Sequence, residues 1–215
     1  MDLQTVHNKI YLLANKEQHF WPHETLDDVL HSASLWKFNE YAAAYGMTQL
    51  LHVALSPFKV NYPFNTGNTP SGLITLPATY ERLLSFYIQY TDGVVRTKDV
   101  KEVNEDELGG RLDSQLKPVT ITSPIYTETS KGNIQLYPQQ PNSGYLFYLR
   151  TPVKPAFVYT VSGRTVTYNS AGSTQLEWND TTINQLVIKA VQLLGVNIEA
   201  IPLVQYTELK DQQKI

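Results

Sequence analysis

The chain has 215 residues, 42% of them hydrophobic and 17% charged, with a net charge of −3 and no cysteine. That is enough apolar material for a substantial core, and a composition that excludes a disordered chain, a disulfide framework, a thiolate metal centre and a thiol nucleophile. The mild negative balance, without any run of lysine or arginine, argues against an electrostatic grip on nucleic acid or anionic lipid.

Leu3, Val6, Ile10 and Leu13 recur at helical spacing, which predicts an amphipathic helix over residues 2–16. The opening MDLQTVHNKIYLL lacks the basic start and clean apolar run of a signal peptide. No stretch reaches the roughly 18 apolar residues of a membrane span, so a protein that stays where it is made is expected. After Trp21-Pro22 a second helix is expected from Thr25, whose hydroxyl would cap the amide of Asp28. Leu26, Val29, Leu30, Ala33 and Trp36 mark its apolar face, Gly46 its stop, and a further turn or two over Thr48–Leu55 ends at Pro57.

Residues 61–72 read as a loop, NYPFNTGNTPSG, from their proline, glycine and asparagine content. Leu73–Leu76 reads as a short strand, and Leu83–Tyr90 with Val94–Val103 as a hairpin about Asp92-Gly93. Asn104-Glu-Asp-Glu107 spells a capping box, in which the Asn104 side chain meets the amide of Glu107 and a short helix follows over Glu105–Gln115. Strands are expected at Thr120–Thr127, Asn133–Tyr137, Tyr145–Arg150, Phe157–Val161 and Arg164–Tyr168, joined by turns as an antiparallel meander. Ile183, Leu186, Val187, Ala190 and Val191 then form the apolar stripe of a late helix, capped near Asn179 and stopped at Gly195. The remainder is an extended tail. The fold class is therefore α+β: N-terminal helices over 1–57, a β-rich domain over 58–178 with the short helix 105–115 inserted, and a C-terminal helix and tail over 179–215 that belong in one compact unit with 1–57.

Catalytic, cofactor-binding and metal signatures are absent. There is no G-x-S-x-G elbow and no P-loop. His19 and His23 are four apart, the spacing of a two-imidazole metal site on one helix face, but Pro22 lies between them and no carboxylate completes the set. His7, His31 and His52 stand singly and read as surface or half-buried residues. The acidic cluster Glu102, Glu105, Asp106 and Glu107 is explained by the helix start and by solvent. Gly109-Gly110 disfavours a helix by about 1 kcal/mol per glycine relative to alanine. The pair therefore suggests close approach of a neighbouring backbone, a packing or assembly role. Tyr145–Tyr148 and Tyr159 would suit stacking on sugars, although alternating burial in a sheet accounts for them as well.

Four stretches in order carry a resemblance: Asn15-Lys-Glu-Gln18, VKEVNEDELGGRLDSQLKPVTITSPIY (Val100–Tyr126), GNIQLYP (Gly132–Pro138) and FYLRTPVKP (Phe147–Pro155). In these the chain resembles virion proteins of tailed phages of Bacteroidetes, including the crAss-like phages. Leu108 departs from that pattern, since the family commonly has tryptophan after the acidic pair. The resemblance implies a structural neck component and no enzyme: a head-completion or head–tail adaptor, forming a ring, commonly a dodecamer, beneath the portal at the head–tail junction. It would be assembled in the host bacterial cytoplasm. The implied partners are further copies of the chain, the portal protein, adjacent neck or tail rings, and double-stranded DNA passing through the channel without specific binding, with no membrane and no cofactor. Implied subunit contacts fall on Glu105, Glu107, Leu108, Gly109, Gly110 and Arg111, and on Leu203, Val204, Tyr206 and Leu209 of the tail. Two other readings stand beside it: a β-rich tail or fibre module recognising surface glycans, and a small hydrolase dependent on His19, His23 or Glu107.

Overall fold

The computed structural model describes residues 1–17, 20–46, 49–65, 71–92, 94–139, 143–163 and 165–195. The tail positions Leu203, Val204, Tyr206 and Leu209, and His19, lie outside the described residues. The chain is α+β and divides into two units, one of residues 1–57 with 152–215 and the other of residues 58–151. Residues 152–178 thus group with the helices and not with the β-rich region expected above.

In the first unit, α1 (Leu3–Leu13), α2 (His23–Ala43) and α5 (Asp180–Leu193) pack together, α5 lying against both others. The short α3 (Gln49–Ala54) and a 3-10 turn (Ser56–Phe58) follow α2 in the chain. α1 is capped by Asp2, whose carboxylate accepts from the Thr5 amide at 2.8 Å, and buries Leu3, Val6, His7, Ile10 and Tyr11. Leu13, expected inside, is 39% exposed because His7 and Tyr11 turn the buried arc away from it. α2 begins two residues before the expected cap, on the carbonyl of Pro22, and Thr25 lies within the helix. The early start places His23 and Asp27, four apart, on the inner face.

Trp36 was expected on the apolar face and is 46% exposed. Lys37 takes the inward position, with its amine beside the rings of Trp36 and Tyr41 and 3.1 Å from Glu40. α5 matches its sequence pattern: Asn179 accepts from the Thr182 amide at 2.8 Å, and Gly195 adopts the positive φ of 71° that ends such helices. The indole of Trp178, just before α5, donates to Ser34 of α2 at 2.7 Å in the interior.

The second unit has two four-stranded sheets. Its strands are β1 (Lys59–Asn65), β2 (Leu73–Thr75), β3 (Tyr80–Asp92), β4 (Val94–Asp99), β5 (Lys101–Glu102), β6 (Ile125–Ser130), β7 (Asn133–Tyr137) and β8 (Ser143–Arg150). One sheet runs β1-β8-β3-β4 and the other β2-β7-β6-β5. The order is no meander: β8 inserts between β1 and β3, and β5 pairs with β6 in parallel. Most of the expected loop 61–72 that is described is strand, because β1 lies at a sheet edge, where Pro63 withholds no ladder hydrogen bond that the sheet needs. Both sheets contribute to one core, with Phe64, Phe86, Ile88, Leu146 and Tyr148 from the first and Tyr126, Ile134 and Leu136 from the second. Gly144 sits at its tightest point: a Cβ there would fall 2.6 Å from Cε1 of Phe64 and against the Tyr87 carbonyl.

A hairpin of β9 (Tyr159–Ser162) and β10 (Thr165–Tyr168) completes the first unit. No helix among the described residues is long and apolar enough to cross a membrane.

Candidate functional site

The subunit-contact candidates that are described lie in one exposed stretch between β5 and β6. α4 (Glu105–Leu112) carries Glu105, Asp106 and Glu107 in its first turn, suited to the positive end of the helix dipole, and Arg111 in its last. The capping box does not form. Asn104 is the N-cap but makes no side-chain hydrogen bond, and the Glu107 amide donates to the Asn104 carbonyl at 3.1 Å. A backbone turn does the work that the asparagine side chain was expected to do.

α4 stops at Leu112, shorter than Glu105–Gln115, where the Asp113 amide donates to Gly109 at 3.2 Å. Arg111 Nη1 then donates to the Lys117 carbonyl at 2.6 Å, folding the chain back after the helix. The base of the stretch is firmly attached: Val103 N donates to Tyr126 O at 2.9 Å, and the Tyr126 hydroxyl donates to Glu102 at 3.2 Å. Burial, and then the nearby Glu102 charge, push the Tyr126 hydroxyl well above its ordinary range; burial and Glu128 do the same to Tyr80.

What distinguishes the stretch is that no residue of α4 is buried, although the helix lies beside β6. An eight-residue helix is marginal in water by itself, and this one contains two glycines. Nothing among the described residues lies within 4 Å of a Cβ built at Gly109 or Gly110, so no described neighbour requires them. Leu112 and Ile121 are each 45% exposed and Leu116 is 96% exposed. Leu108 and Arg111 are half-buried, and Glu105 and Glu107 are exposed. The stretch therefore presents, in chain order, an acidic helical turn, two glycines and the exposed apolar side chains of Leu112, Leu116 and Ile121.

A second cluster was not foreseen. His7 and His23, which sequence reading kept apart, meet in the first unit with Nδ1 atoms 3.2 Å apart. His7 Nε2 is 3.1 Å from Asp27 Oδ1, and Asp27 Oδ2 accepts from the Phe157 amide at 2.8 Å. His7 is 1% and Asp27 5% exposed, against the expectation of a surface or half-buried His7. The Phe157 ring stacks on both imidazoles, 4.8 Å from His7 and 4.1 Å from His23.

With Asp27 ionised, the bond directions follow: His7 donates Nε2–H to the carboxylate, its Nδ1 is the acceptor, and His23 donates Nδ1–H to it. Gln4, Asn8, Tyr11, Val166 and Tyr168 complete a cavity of about 100 Å³ beside the pair. That is room for a few waters, far below the ~300–1,000 Å³ of a typical small-molecule site. No group of three or more His, Asp or Glu among the described residues could hold a metal ion. A signal for one member of the cluster did exist in the sequence. His7, four residues after Leu3 and three before Ile10, falls inside the apolar arc of its helix, whereas Asp27 lies outside the arc that Leu26, Val29, Leu30 and Ala33 mark and gave no such signal.

The aromatic positions divide by the pleat of β8. Tyr148 is buried, whereas Tyr145 and Phe147 are each 37% exposed, with Tyr87 of β3 6.2 Å from the Phe147 ring. No protein-family model matches the sequence, and a search of curated proteins finds no significant match.

Proposed function

We propose that this chain is a structural virion protein, a head-completion or head–tail adaptor that forms a ring below the portal of a tailed phage and extends the DNA channel. The observation that carries the reading is the exposed stretch from α4 to Ile121. It holds the longest run of the family resemblance, and it keeps Leu112, Leu116 and Ile121 at the surface. Burial of a leucine or isoleucine side chain contributes about 1.5–3 kcal/mol, so covering these three by an adjacent subunit would contribute several kcal/mol to assembly. Gly109 and Gly110 give that neighbour a backbone without side chains to approach. A closed ring needs two different surfaces per subunit, and an acidic, apolar arm is one such surface. The net charge of −3 is compatible with DNA sliding past without being held.

The test is the copy number of this chain against the portal protein in purified particles, by quantitative mass spectrometry. One copy per portal subunit supports a matched ring, and absence from particles refutes the reading. A large excess would favour the second reading, a β-rich tail or fibre module that stacks on glycans. The exposed Tyr145 and Phe147, with the half-buried Tyr87 ring beside Phe147, favour that alternative.

A further inference from the structure

The imidazoles of His7 and His23 face each other along a straight line. Their ring centres are 5.4 Å apart with planes 12° from parallel, and their Nδ1 atoms are 3.2 Å apart. The nitrogen separation and the two centre-to-nitrogen radii together account for nearly all of the distance between centres. The rings are therefore coplanar and edge to edge, with each Nδ1 aimed at the other along the line of centres. The centre-to-centre distances of 5.4, 4.8 and 4.1 Å put the midpoint of that line nearer to the Phe157 ring centre than either imidazole is. The phenyl face lies flat over it, 15° from the plane of His7 and 13° from that of His23.

Asp27 decides which lone pair His7 offers. Its carboxylate takes Nε2–H of His7 at 3.1 Å, which leaves the lone pair on Nδ1; a carboxylate orients metal-binding imidazoles in the same way. The other carboxylate oxygen accepts from the Phe157 amide at 2.8 Å, so one residue positions both the first imidazole and the phenyl ring. His7, His23 and Asp27 are all buried. The exposed Gln4 and Asn8 line the cavity that both imidazoles also line, which gives the pair a path from solvent.

This geometry selects the ion. Zinc takes a tetrahedral set of donors, and no group of three or more His, Asp or Glu among the described residues supplies one. Two nitrogens opposed on a line suit instead a soft monovalent d10 ion, Cu(I) or Ag(I), which is stable with two ligands in a straight arrangement. At metal–nitrogen distances of ~2 Å the two Nδ1 atoms stand ~4 Å apart, so each ring withdraws by ~0.4 Å. His23 frees its Nδ1 by carrying its proton on Nε2, and no proton has to leave the protein. A single positive charge is balanced by the Asp27 carboxylate, whereas a divalent ion would leave an excess charge in the interior. The Phe157 face stabilises a cation lying beneath it.

We propose that His7 and His23 form a linear two-nitrogen site for a soft monovalent cation, Cu(I) in a cell, oriented by Asp27 and roofed by Phe157. The experiment titrates the full chain with Cu(I) under anaerobic conditions, in competition with a colorimetric Cu(I) chelator, and takes X-ray absorption spectra of the product. One ion per chain is expected, with two nitrogen neighbours and the edge feature of a two-coordinate centre. His23→Gln should lose that ion. Asp27→Asn, whose amide donates to Nε2 of His7 and drives the ring proton onto Nδ1, should bind about 10–100-fold more weakly. That variant keeps each hydrogen bond of the cluster, so the reading stands even if His23→Gln does not fold. A native chain that takes no Cu(I) from the chelator overturns the site, and so does binding that both variants retain. Three or more nitrogen neighbours, or Zn(II) held at these histidines in preference to Cu(I), overturns the linear geometry and the proposal with it.

Discussion

Replacing Asp27 separates two accounts of the buried cluster, because alanine and asparagine do different things to the same two donors. In Asp27→Ala the Phe157 amide, held at 2.8 Å, loses its acceptor in the interior, and so does Nε2–H of His7 at 3.1 Å. An orphaned buried donor costs about 1–3 kcal/mol, and His7 can relieve its own part by shifting its proton to Nδ1, so a total of about 3–4 kcal/mol is expected. In Asp27→Asn the amide oxygen still accepts from Phe157 while the amide nitrogen donates to His7. His7 then carries its proton on Nδ1, His23 becomes the acceptor, and the chain of bonds runs in reverse with each link kept. Only the charge assistance is lost, for about 1–2 kcal/mol.

The three tryptophans, Trp21, Trp36 and Trp178, all lie in the helical unit, so fluorescence follows the unfolding of that unit alone. At ~2–4 °C per kcal/mol for a chain of this size, alanine should lower the midpoint by roughly 10 °C and asparagine by roughly 4 °C. Nitrogen-15 spectra of the imidazoles should show His7 protonated at Nε2 in the native chain and at Nδ1 in Asp27→Asn. An alanine variant no less stable than the asparagine variant, or an unchanged His7 tautomer, refutes the assigned bond directions.

Leu116→Glu should leave the monomer fold and its unfolding midpoint unchanged, since the side chain is 96% exposed, and should abolish higher-order species in native mass spectrometry of the full chain. Gly144→Ala should destabilise the β-rich unit by about 3 kcal/mol or more, because the new methyl meets the Phe64 ring and the Tyr87 carbonyl and a backbone oxygen cannot swing aside. Circular dichroism should register that loss while tryptophan fluorescence does not. Ser34→Ala strands the buried Trp178 N–H and should cost about 1–3 kcal/mol, seen as a fall in the fluorescence midpoint. Tyr80 and Tyr126 hold their protons more tightly folded than unfolded, so the stability they contribute is intact below about pH 10 and is lost as pH rises further; absorbance at alkaline pH should show both titrating last, together with unfolding.

The parts of the fold that could be read from residues are those whose determinants are local. α5 carries its own cap, apolar stripe and glycine stop, and β7 lies where alternation and the Lys131-Gly132 turn place it. α2 was harder, because His23, Asp27, Ser34 and Lys37 all face inward and break the apolar period that would mark the buried side. Each is held by a partner distant in sequence or by aromatic rings, which a scan of neighbouring residues does not see. The strand order was illegible for the same reason: nothing near residues 143–150 indicates that they pair with both β1 and β3. At the candidate contact surface, the acidic turn, the glycine pair and Arg111 were visible in sequence. The exposure of Leu116 was not, because a lone leucine before Lys117-Pro118 looks like core until the fold leaves it outside.

The position of β8 also determines when the protein can fold. Lys59 pairs with Leu149, so the first sheet has no centre until the chain has been made through residue 150, on the order of ten seconds after β1 at ~5–20 residues per second. The helical unit waits longer still, because α1 and α2 need α5 to cover them. A nascent chain therefore carries its first helices uncovered while an entire β-rich unit is synthesised and closed. Any pause between residues 57 and 150 lengthens that exposure, and a fragment ending before β8 completes neither unit.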